Sequence, residues 1–334
     1  MKTIGILTYW GVPNYGAWVQ AYALNIVVRG IVGNEYEVRH LNYLCRHHWE
    51  SYYLNDERLY NAFSYNWDII PHTIRLDEES IEDYPCDSII CGSDSIWEFS
   101  IPEMGNDKHL VGNGLSAERI VSYAASFGVT SSDDSLEAWV KDGIQNLDSV
   151  IVRDTHSRDV IHYLCPNKDV GLALDPCLLY DFLNDDNVLD SKYKNYYAVY
   201  GVHFSDQFKD KIIRKAKMNR KKLISIGFVN DWCDISLRMI ELRCLEWLGM
   251  VKCADCVVTS TFHGLMTSIA FEKQVLFDQV EYVKNRSQSL IELLGIDDMV
   301  GNSEYEIDYS VVTNRLNALR KESFNALNQA LEIV

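Results

Sequence analysis

Short apolar runs alternate with longer amphipathic stretches along most of the chain. Runs such as TIGILTY, YEVRHLNY and DSIICGSD have the length of a strand, whereas AWVQAYALNIVVRG places apolar side chains three or four positions apart. Continuous apolar runs are typical of parallel strands covered on both faces, and the three-to-four spacing is typical of helices. The pattern predicts strands alternating with helices, and Gly30 is the expected end of the first helix.

The same alternation restarts after an acidic, polar stretch at residues 180–195. ERIVSYAASFG, DSVIVRD and DVGLALDP before it, and YYAVYGVHF, KLISIGF, CVVTS and QVLFD after it, are predicted strands. A chain of 334 residues exceeds what one compact core usually supports. We therefore expect an α/β fold of two doubly wound parallel-sheet domains, residues 1–185 and 186–305, facing across a cleft, with a helical tail at 306–334.

Charge and composition argue against several classes of protein. The formal net charge of −17 argues against nonspecific nucleic-acid binding and against a polybasic grip on an anionic membrane. No signal peptide or membrane-spanning run is apparent, so we expect a cytoplasmic protein, with peripheral membrane association left open. Nine scattered cysteines fit a reducing compartment. No metal is expected, because the one Cys-x-x-Cys, Cys253 and Cys256, lacks further ligands at zinc-site spacing.

Five phrases in a fixed order carry a family resemblance: GVPNYGAWVQAYAL, CGSDSIW, SYAASFG, DPCLLY and EWLGMVKCADCVVTSTFHGLMTSIAF. Through them the chain resembles the polysaccharide pyruvyl transferase family. The resemblance implies two Rossmann-like domains of the GT-B type. It also implies transfer of the pyruvyl group of phosphoenolpyruvate to a sugar, commonly as a ketal, in the synthesis of bacterial capsule or exopolysaccharide. Phosphoenolpyruvate would be a co-substrate with no further cofactor, and the acceptor sugar would sit on a lipid or nucleotide carrier.

Such a reaction needs an acid to protonate the donor's methylene carbon, a base for the sugar hydroxyl, and positive groups for phosphate and carboxylate. His263 is the leading candidate, because it follows the strand CVVTS in the first turn of a helix, where anions bind. It would grip phosphate, transfer a proton, or do both; from spacing alone, the alternative is a histidine that caps its own helix. Ser260, Thr261 and Phe262 precede it, and Gly264 lets a backbone or ligand approach closely.

The donor also needs a cation that this chain does not carry at the usual place. Some members of the family have Arg two residues before the histidine, where this chain has Thr261. Arg286, expected to begin a helix after the strand VLFD, is the leading substitute together with Lys284. Arg153 at a predicted strand end and His203 after YYAVYGVHF follow. For each of them the alternative is a surface cation without a specific role.

Loops that follow strands in the first half are the expected contacts of the acceptor sugar. Asp94, at the end of the strand in CGSD, is the leading general base, although Ser95 stands where the family usually has Gln. Trp97 could stack on a sugar face. The other candidate contacts share this place after a strand: Asn14, Tyr15 and Gly16 in PNYG, Ser93 in CGSD, and Ser126 and Phe127 in SFG. Ordinary turns, helix caps and core packing are the alternatives.

Two further functions stay open at this point. A nucleotide-sugar glycosyltransferase of the same architecture would need a nucleotide diphosphate site in the second half. A catalytically degenerate member would bind sugar without reaction, and the departures at Thr261 and Ser95 favour it. A dinucleotide enzyme is less well supported, because PNYG lacks the G-x-G-x-x-G spacing.

Overall fold

The computed structural model describes residues 1–101 and 106–332. The chain divides into two compact units, Met1–Tyr180 with Ala318–Val334, and Asp181–Asn317. The division falls at the start of the acidic, polar stretch at residues 180–195. The tail at 306–334 is not a separate unit, because its residues are assigned partly to each of the two.

A parallel sheet of five strands forms the centre of the first unit, in the order β3-β2-β1-β4-β5. Its strands are β1 (Lys2–Leu7), β2 (Tyr36–Tyr43), β3 (His72–Leu76), β4 (Cys86–Cys91) and β5 (Ala117–Ser122). A short parallel pair, β6 (Ile151–Val152) and β7 (Gly171–Leu172), joins β5 through isolated bridges. Ile6, Ile89 and Ile90 are fully buried, which agrees with strands covered on both faces.

Most helices of the first unit begin at a residue whose side chain caps their first turn. They are α1 (Tyr15–Val32), α2 (Arg46–Tyr53), α3 (Glu57–Phe63), α4 (Ala138–Asn146), α5 (Thr155–Leu164) and α6 (Pro176–Leu179). The Asn14 side chain accepts hydrogen bonds from the first amides of α1. The prediction that Gly30 ends this helix is wrong. The helix continues to bury Val32, and Gly33, with φ of 61°, ends it.

The second unit repeats the topology of the first. Its parallel sheet has the order β10-β9-β8-β11-β12, with β8 (Tyr196–Tyr200), β9 (Lys222–Gly227), β10 (Ile235–Arg238), β11 (Cys256–Thr259) and β12 (Val275–Phe277). Its helices are α7 (Asp206–Met218), α8 (Cys244–Lys252), α9 (Phe262–Ala270) and α10 (Glu281–Leu294), followed by α11 (Tyr309–Ala330). In the part of the chain that is described, no helix is both long and apolar enough to cross a membrane.

Both sheets reverse their strand order once, and each reversal marks a place where ligands bind in open α/β folds. In the first unit the chain builds the sheet outward from β1 to β3 and then returns to place β4 on the other side of β1. In the second unit the reversal lies between β8 and β11. The expected fold class, α/β with two Rossmann-like parallel sheets, is confirmed.

Candidate active site

The loops after β1 and β4 are hydrogen-bonded to each other at the switch point of the first sheet. Thr8 Oγ1 donates to the carbonyl oxygen of Ser93 over 2.7 Å, and Ser93 Oγ donates to Gln20 Oε1 on α1. All three side chains are buried. Sequence reasoning named Ser93 but missed Thr8 and Gln20. Their signal was a polar residue inside an otherwise apolar stretch, which a buried hydrogen bond explains.

Asp94 lies in the loop after β4 and has an unusual backbone conformation. Its φ is 76°, in the left-handed region that Asp tolerates better than most residues. Gly92, two residues before it, has φ of 124°, and a Cβ there would overlap the carbonyl oxygen of Tyr123. Since only glycine fits this position, the turn that presents Asp94 is fixed by its neighbours. Strained backbone of this kind is typical of functional sites.

Asp94, Arg153 and Asp175 form a buried ionic triad at the carboxyl edge of the first sheet. Arg153 Nη1 donates to Asp175 Oδ2 over 2.8 Å, and its Nη2 lies 3.3 Å from Asp94 Oδ1. Only 1% of the Arg153 side chain is exposed. Burial acts to lower the pKa of Arg153, but the nearby carboxylates outweigh it and raise that pKa.

The triad changes the expected role of Arg153. Its positive charge is already matched by two carboxylates, so the structure counts against it as the cation that binds donor phosphate. Asp94 keeps 11% of its side chain exposed, and its Oδ1 also accepts the backbone N–H of Ser95 over 2.8 Å. The role of Asp94 as general base stays a prediction. The backbone N–H of Ser95 helps to hold its carboxylate in place.

Several of the expected sugar contacts lie inside the first unit. Trp97 is fully buried, donates its indole N–H to the Leu110 carbonyl over 2.8 Å and packs against Phe127. Tyr15 is equally buried and packs against Phe63. In this conformation none of the three aromatic rings offers a face to a ligand. They were misjudged because a place after a strand does not tell which way the side chain points.

Small and polar candidates of the same loops serve mainly as local supports. Asn14 is exposed, but its Oδ1 accepts the backbone N–H groups of Gly16 and Ala17. Gly16 is itself buried in the first turn of α1. Ser126 is fully buried, and its Oγ accepts the Gly128 N–H over 3.0 Å. Of this group, Asn14 alone is exposed.

His263 occupies the first turn of α9, directly after the switch-point strand β11. Thr261 is the N-cap residue, and its Oγ1 accepts the N–H of Gly264 over 3.0 Å. Thr259 Oγ1 donates to the Tyr200 carbonyl over 2.7 Å, which ties β11 to β8 beneath the cap. His263 is half-buried, beside the edge of the Phe262 ring. The alternative that His263 caps its own helix is therefore wrong, because Thr261 does so.

Gly264 is required by the packing of its own turn. A methyl group there would overlap Thr259 Oγ1 and lie 2.6 Å from Thr261 Oγ1. We expected a backbone or a ligand to approach this glycine, whereas the two threonine side chains do so. Thr261, where some members of the family have Arg, instead caps and fixes the start of α9.

The loops after β8 and β12 meet beside this turn. Ser205 donates its backbone N–H to Asp278 Oδ2 over 2.8 Å, and Asp278 donates its own N–H to the Thr259 carbonyl. His203 lies exposed in the first of these loops, two residues before Ser205, and Ser260 is buried between the strand and α9. The carboxyl edge of this sheet thus brings the segments that carry His203 and His263 together.

Arg286 and Lys284 lie on α10, but not at its start. The helix begins at Glu281, so Arg286 is in its second turn. The guanidinium carbon lies 4.2 Å from the Tyr282 ring centroid, and Nη2 donates to the Tyr282 carbonyl over 3.0 Å. Arg286 is 8% exposed, whereas Lys284 is open to solvent. Among the described atoms, the buried Nε of Arg286 has no hydrogen-bond acceptor.

The family of this protein is identified by comparison of its sequence with known families. The sequence model of the polysaccharide pyruvyl transferases matches residues 14–277. The chain belongs to the polysaccharide pyruvyl transferase family. This membership supports a transferase of polysaccharide biosynthesis. The match spans Asn14, Asp94 and His263 but ends before Lys284 and Arg286.

This family member is similar to several solved structures, of which the first named here supports the fold. The S. aureus MnaA-UDP co-structure is similar with a TM-score of 0.52 and 13% identity, over 100% of this chain and 98% of that one. An alpha-glucosyltransferase (AGT) in complex with UDP has a TM-score of 0.47 and 10% identity, over 99% and 96% of the two chains. E. coli heptosyltransferase WaaC with ADP-2-deoxy-2-fluoro heptose has a TM-score of 0.45 and 7% identity, over 87% and 99%. No curated protein sequence matches this chain.

Proposed function

We propose that this family member transfers the pyruvyl group of phosphoenolpyruvate to a sugar and forms a ketal that bridges two hydroxyls of a hexose. The observation that carries the proposal is the position of His263 in the first turn of α9, at the switch point of the second sheet. The positive end of a helix dipole favours an anion there. No cofactor beyond phosphoenolpyruvate is needed, and the acceptor would be carried on a lipid or a nucleotide.

His263 is the proposed acid for the first step. Its imidazolium gives a proton to the methylene carbon of phosphoenolpyruvate, which turns that carbon into a methyl group and leaves oxocarbenium character on the neighbouring carbon. A sugar hydroxyl attacks this carbon as its own proton passes to a base, for which Asp94 is the candidate. The C–O bond to phosphate then breaks as a second hydroxyl closes the ketal, and the proton of that hydroxyl leaves with the phosphate. The proton held by Asp94 passes to solvent, and His263 takes up a proton from solvent before the next turnover.

The donor's negative charges are the other demand on the site. Phosphoenolpyruvate carries a phosphate and a carboxylate, and the first turn of α9 meets only part of this charge. Arg286 fits the remaining role because its guanidinium is planar, held against Tyr282, and suited to bind an oxyanion through two N–H groups. Lys284 and His203, both exposed, are the further candidates.

Donor specificity can be tested before the acceptor is known. Phosphoenolpyruvate should raise the melting temperature of the purified chain, and this rise should shrink in His263→Ala. UDP and GDP should have no such effect. Stabilisation by UDP or GDP, with none by phosphoenolpyruvate, would instead favour a nucleotide-sugar glycosyltransferase.

Transfer itself needs a second measurement. The chain is incubated with phosphoenolpyruvate and a panel of nitrophenyl hexosides, and products are examined by mass spectrometry and proton NMR. The proposal predicts phosphate release together with a product that carries the methyl singlet of a pyruvyl ketal. Phosphate release without any sugar adduct would count against transfer.

A further inference from the structure

A strongly basic segment lies in the second unit of this acidic chain. Residues 211–222, KIIRKAKMNRKK, contain seven of the chain's 31 Lys and Arg residues and no Asp or Glu. The segment covers the second half of α7 and the turn that leads into β9. The whole chain has a net charge of −17, so this concentration of positive charge is local and runs against the average.

Two apolar side chains accompany the cations on the outer face of α7. Ile212 and Ala216 pack inward, whereas Met218 is 82% exposed and Ile213 is 38% exposed. Helical periodicity places Arg214 and Lys217 between those two exposed side chains. This outer face therefore combines positive charge with apolar groups that have no cover within the described chain.

Few of these cations are matched by acids. Lys215 lies 3.5 Å from Glu304, and Lys221 lies 2.8 Å from Asp255. Among the described residues, the other five cations make no ion pair: Lys211, Arg214, Lys217, Arg220 and Lys222.

The helix dipole alone does not account for this arrangement. Cations in the last turn of a helix are favoured by its negative end, and this explains the positions of Lys215 and Lys217. The dipole does not explain the position of Arg220, which lies beyond the helix, or the exposure of Met218. An isolated large apolar side chain is unremarkable on a surface, but here it lies within the basic segment.

The basic segment lies away from the candidate active site. A cavity of about 580 Å³ opens beside it, lined by Lys211, Arg214 and Met218, and also by Cys256 and Val275 at the amino ends of β11 and β12. His263 follows the carboxyl end of β11. Within this unit the two features therefore occupy opposite edges of the same sheet.

We infer that the outer face of residues 211–222 binds the surface of a bilayer that contains anionic phospholipid. Excess Lys and Arg would meet the lipid phosphates, and Ile213 and Met218 would enter the interface. A nucleic-acid partner is less well matched, because the segment itself carries no aromatic side chain on which bases could stack. The net charge of the chain argued against membrane binding through basic residues. A net charge does not show, however, that basic residues are concentrated in one segment. The inference does not rest on pyruvyl transfer.

Vesicle flotation tests the inference directly. The full chain is mixed with vesicles of phosphatidylcholine alone or of phosphatidylcholine with phosphatidylglycerol. We expect binding to the anionic vesicles, none to the neutral ones, and loss of binding as salt is raised. Arg214→Gln with Lys217→Gln should weaken it roughly 30-fold, since each cation contributes about 1 kcal/mol near an anionic surface. Met218→Ser should weaken binding without a change in charge.

A matched control removes the same charge elsewhere. Arg58→Gln with Lys141→Gln replaces two exposed cations of the first unit and should leave vesicle binding unchanged. Melting temperatures check that each variant folds. Absence of binding to anionic vesicles, or an equal loss in the control, overturns the inference. So does binding of a labelled RNA that depends on Arg214 and Lys217 when vesicles do not bind.

Discussion

Arg153 Nη1 lies 2.8 Å from Asp175 Oδ2, and both side chains are 99% buried. The same guanidinium also reaches Asp94, which follows β4. A cation that sequence position alone suggests as a phosphate ligand is thus an internal partner of two carboxylates. Its contribution is to hold together the loops that present Asp94.

Removal of this guanidinium should therefore destabilise the protein. Arg153→Met leaves Asp175 and Asp94 without their shared counter-charge, and breaking a buried ion pair in this way costs about 3–5 kcal/mol of unfolding free energy. Urea unfolding of the variant and the wild type measures the difference. Arg158→Met on α5 is the control, because no ion pair of Arg158 is present among the described residues. A fully stable Arg153→Met with a raised KM for phosphoenolpyruvate would restore Arg153 as a donor ligand.

Gly264 offers a second test of packing. Gly264→Ala forces a methyl group against Thr259 Oγ1 and Thr261 Oγ1, so it should lower the unfolding free energy by about 1–3 kcal/mol and displace the first turn of α9. Gly30→Ala is the matched control. That helical glycine is exposed and has open space, so alanine there should stabilise by about 0.4–1 kcal/mol. Equal effects of the two substitutions would contradict the packing described for Gly264.

His109 should make stability depend on pH. Its Nδ1 lies 2.7 Å from Asp107 and its Nε2 lies 3.1 Å from Glu82. Burial acts to lower the pKa of His109, but these carboxylates outweigh it and raise that pKa. Because the folded pKa exceeds the unfolded value, the stabilisation is complete below about pH 6.5 and is lost as pH rises through the folded pKa.

The test compares His109→Gln with the wild type across this range. The variant's loss of unfolding free energy should be greatest below about pH 6.5 and should shrink at alkaline pH. NMR titration supplies an internal contrast, because burial lowers the pKa of His40 to about 3 and this ring should stay neutral where His109 is charged. A loss that grows with pH would contradict the interaction with Asp107 and Glu82.

The proposed binding of phosphoenolpyruvate by Arg286 can be tested by substitution. Arg286→Ala should raise the KM for phosphoenolpyruvate roughly tenfold or more while kcat changes less, because a lost hydrogen bond to a charged group costs about 1.5–3 kcal/mol. Tyr282→Leu removes the ring that supports the guanidinium and should raise KM in the same direction. Lys284→Ala, at an exposed position, should have a smaller effect. A normal KM in Arg286→Ala would move the donor role to Lys284 or His203.

Much of the fold could be predicted from the sequence, because its central strands are buried on both faces. The predicted strand YEVRHLNY coincides with β2, and the predicted helix FHGLMTSIAF exceeds α9 by one residue. The strands β3 and β10 were not predicted, since their residues are partly exposed and give no continuous apolar run. Ile74 of β3, for example, is 80% exposed. The start of α10 was placed too late because its first turns are largely polar.

The site was harder to predict than the fold. Candidates were chosen because they follow predicted strands, and this criterion identified the carboxyl edge of each sheet. Asp94 and His263 were selected in this way. The criterion could not give the direction of a side chain, and so Trp97 and Phe127 turned out to lie in the core. Nor could it pair Arg153 with carboxylates that lie 22 and 59 positions away in the sequence.

His263 is the proposed proton donor to phosphoenolpyruvate, and the kcat of its alanine variant tests this role. Turnover of phosphoenolpyruvate to a pyruvylated sugar is compared in the wild type, in His263→Ala and in His162→Ala, which alters an exposed histidine of α5. We expect kcat to fall roughly 10²-fold or more in His263→Ala and to stay unchanged in His162→Ala. A His263→Ala variant that folds and forms the ketal with the kcat of the wild type would contradict it.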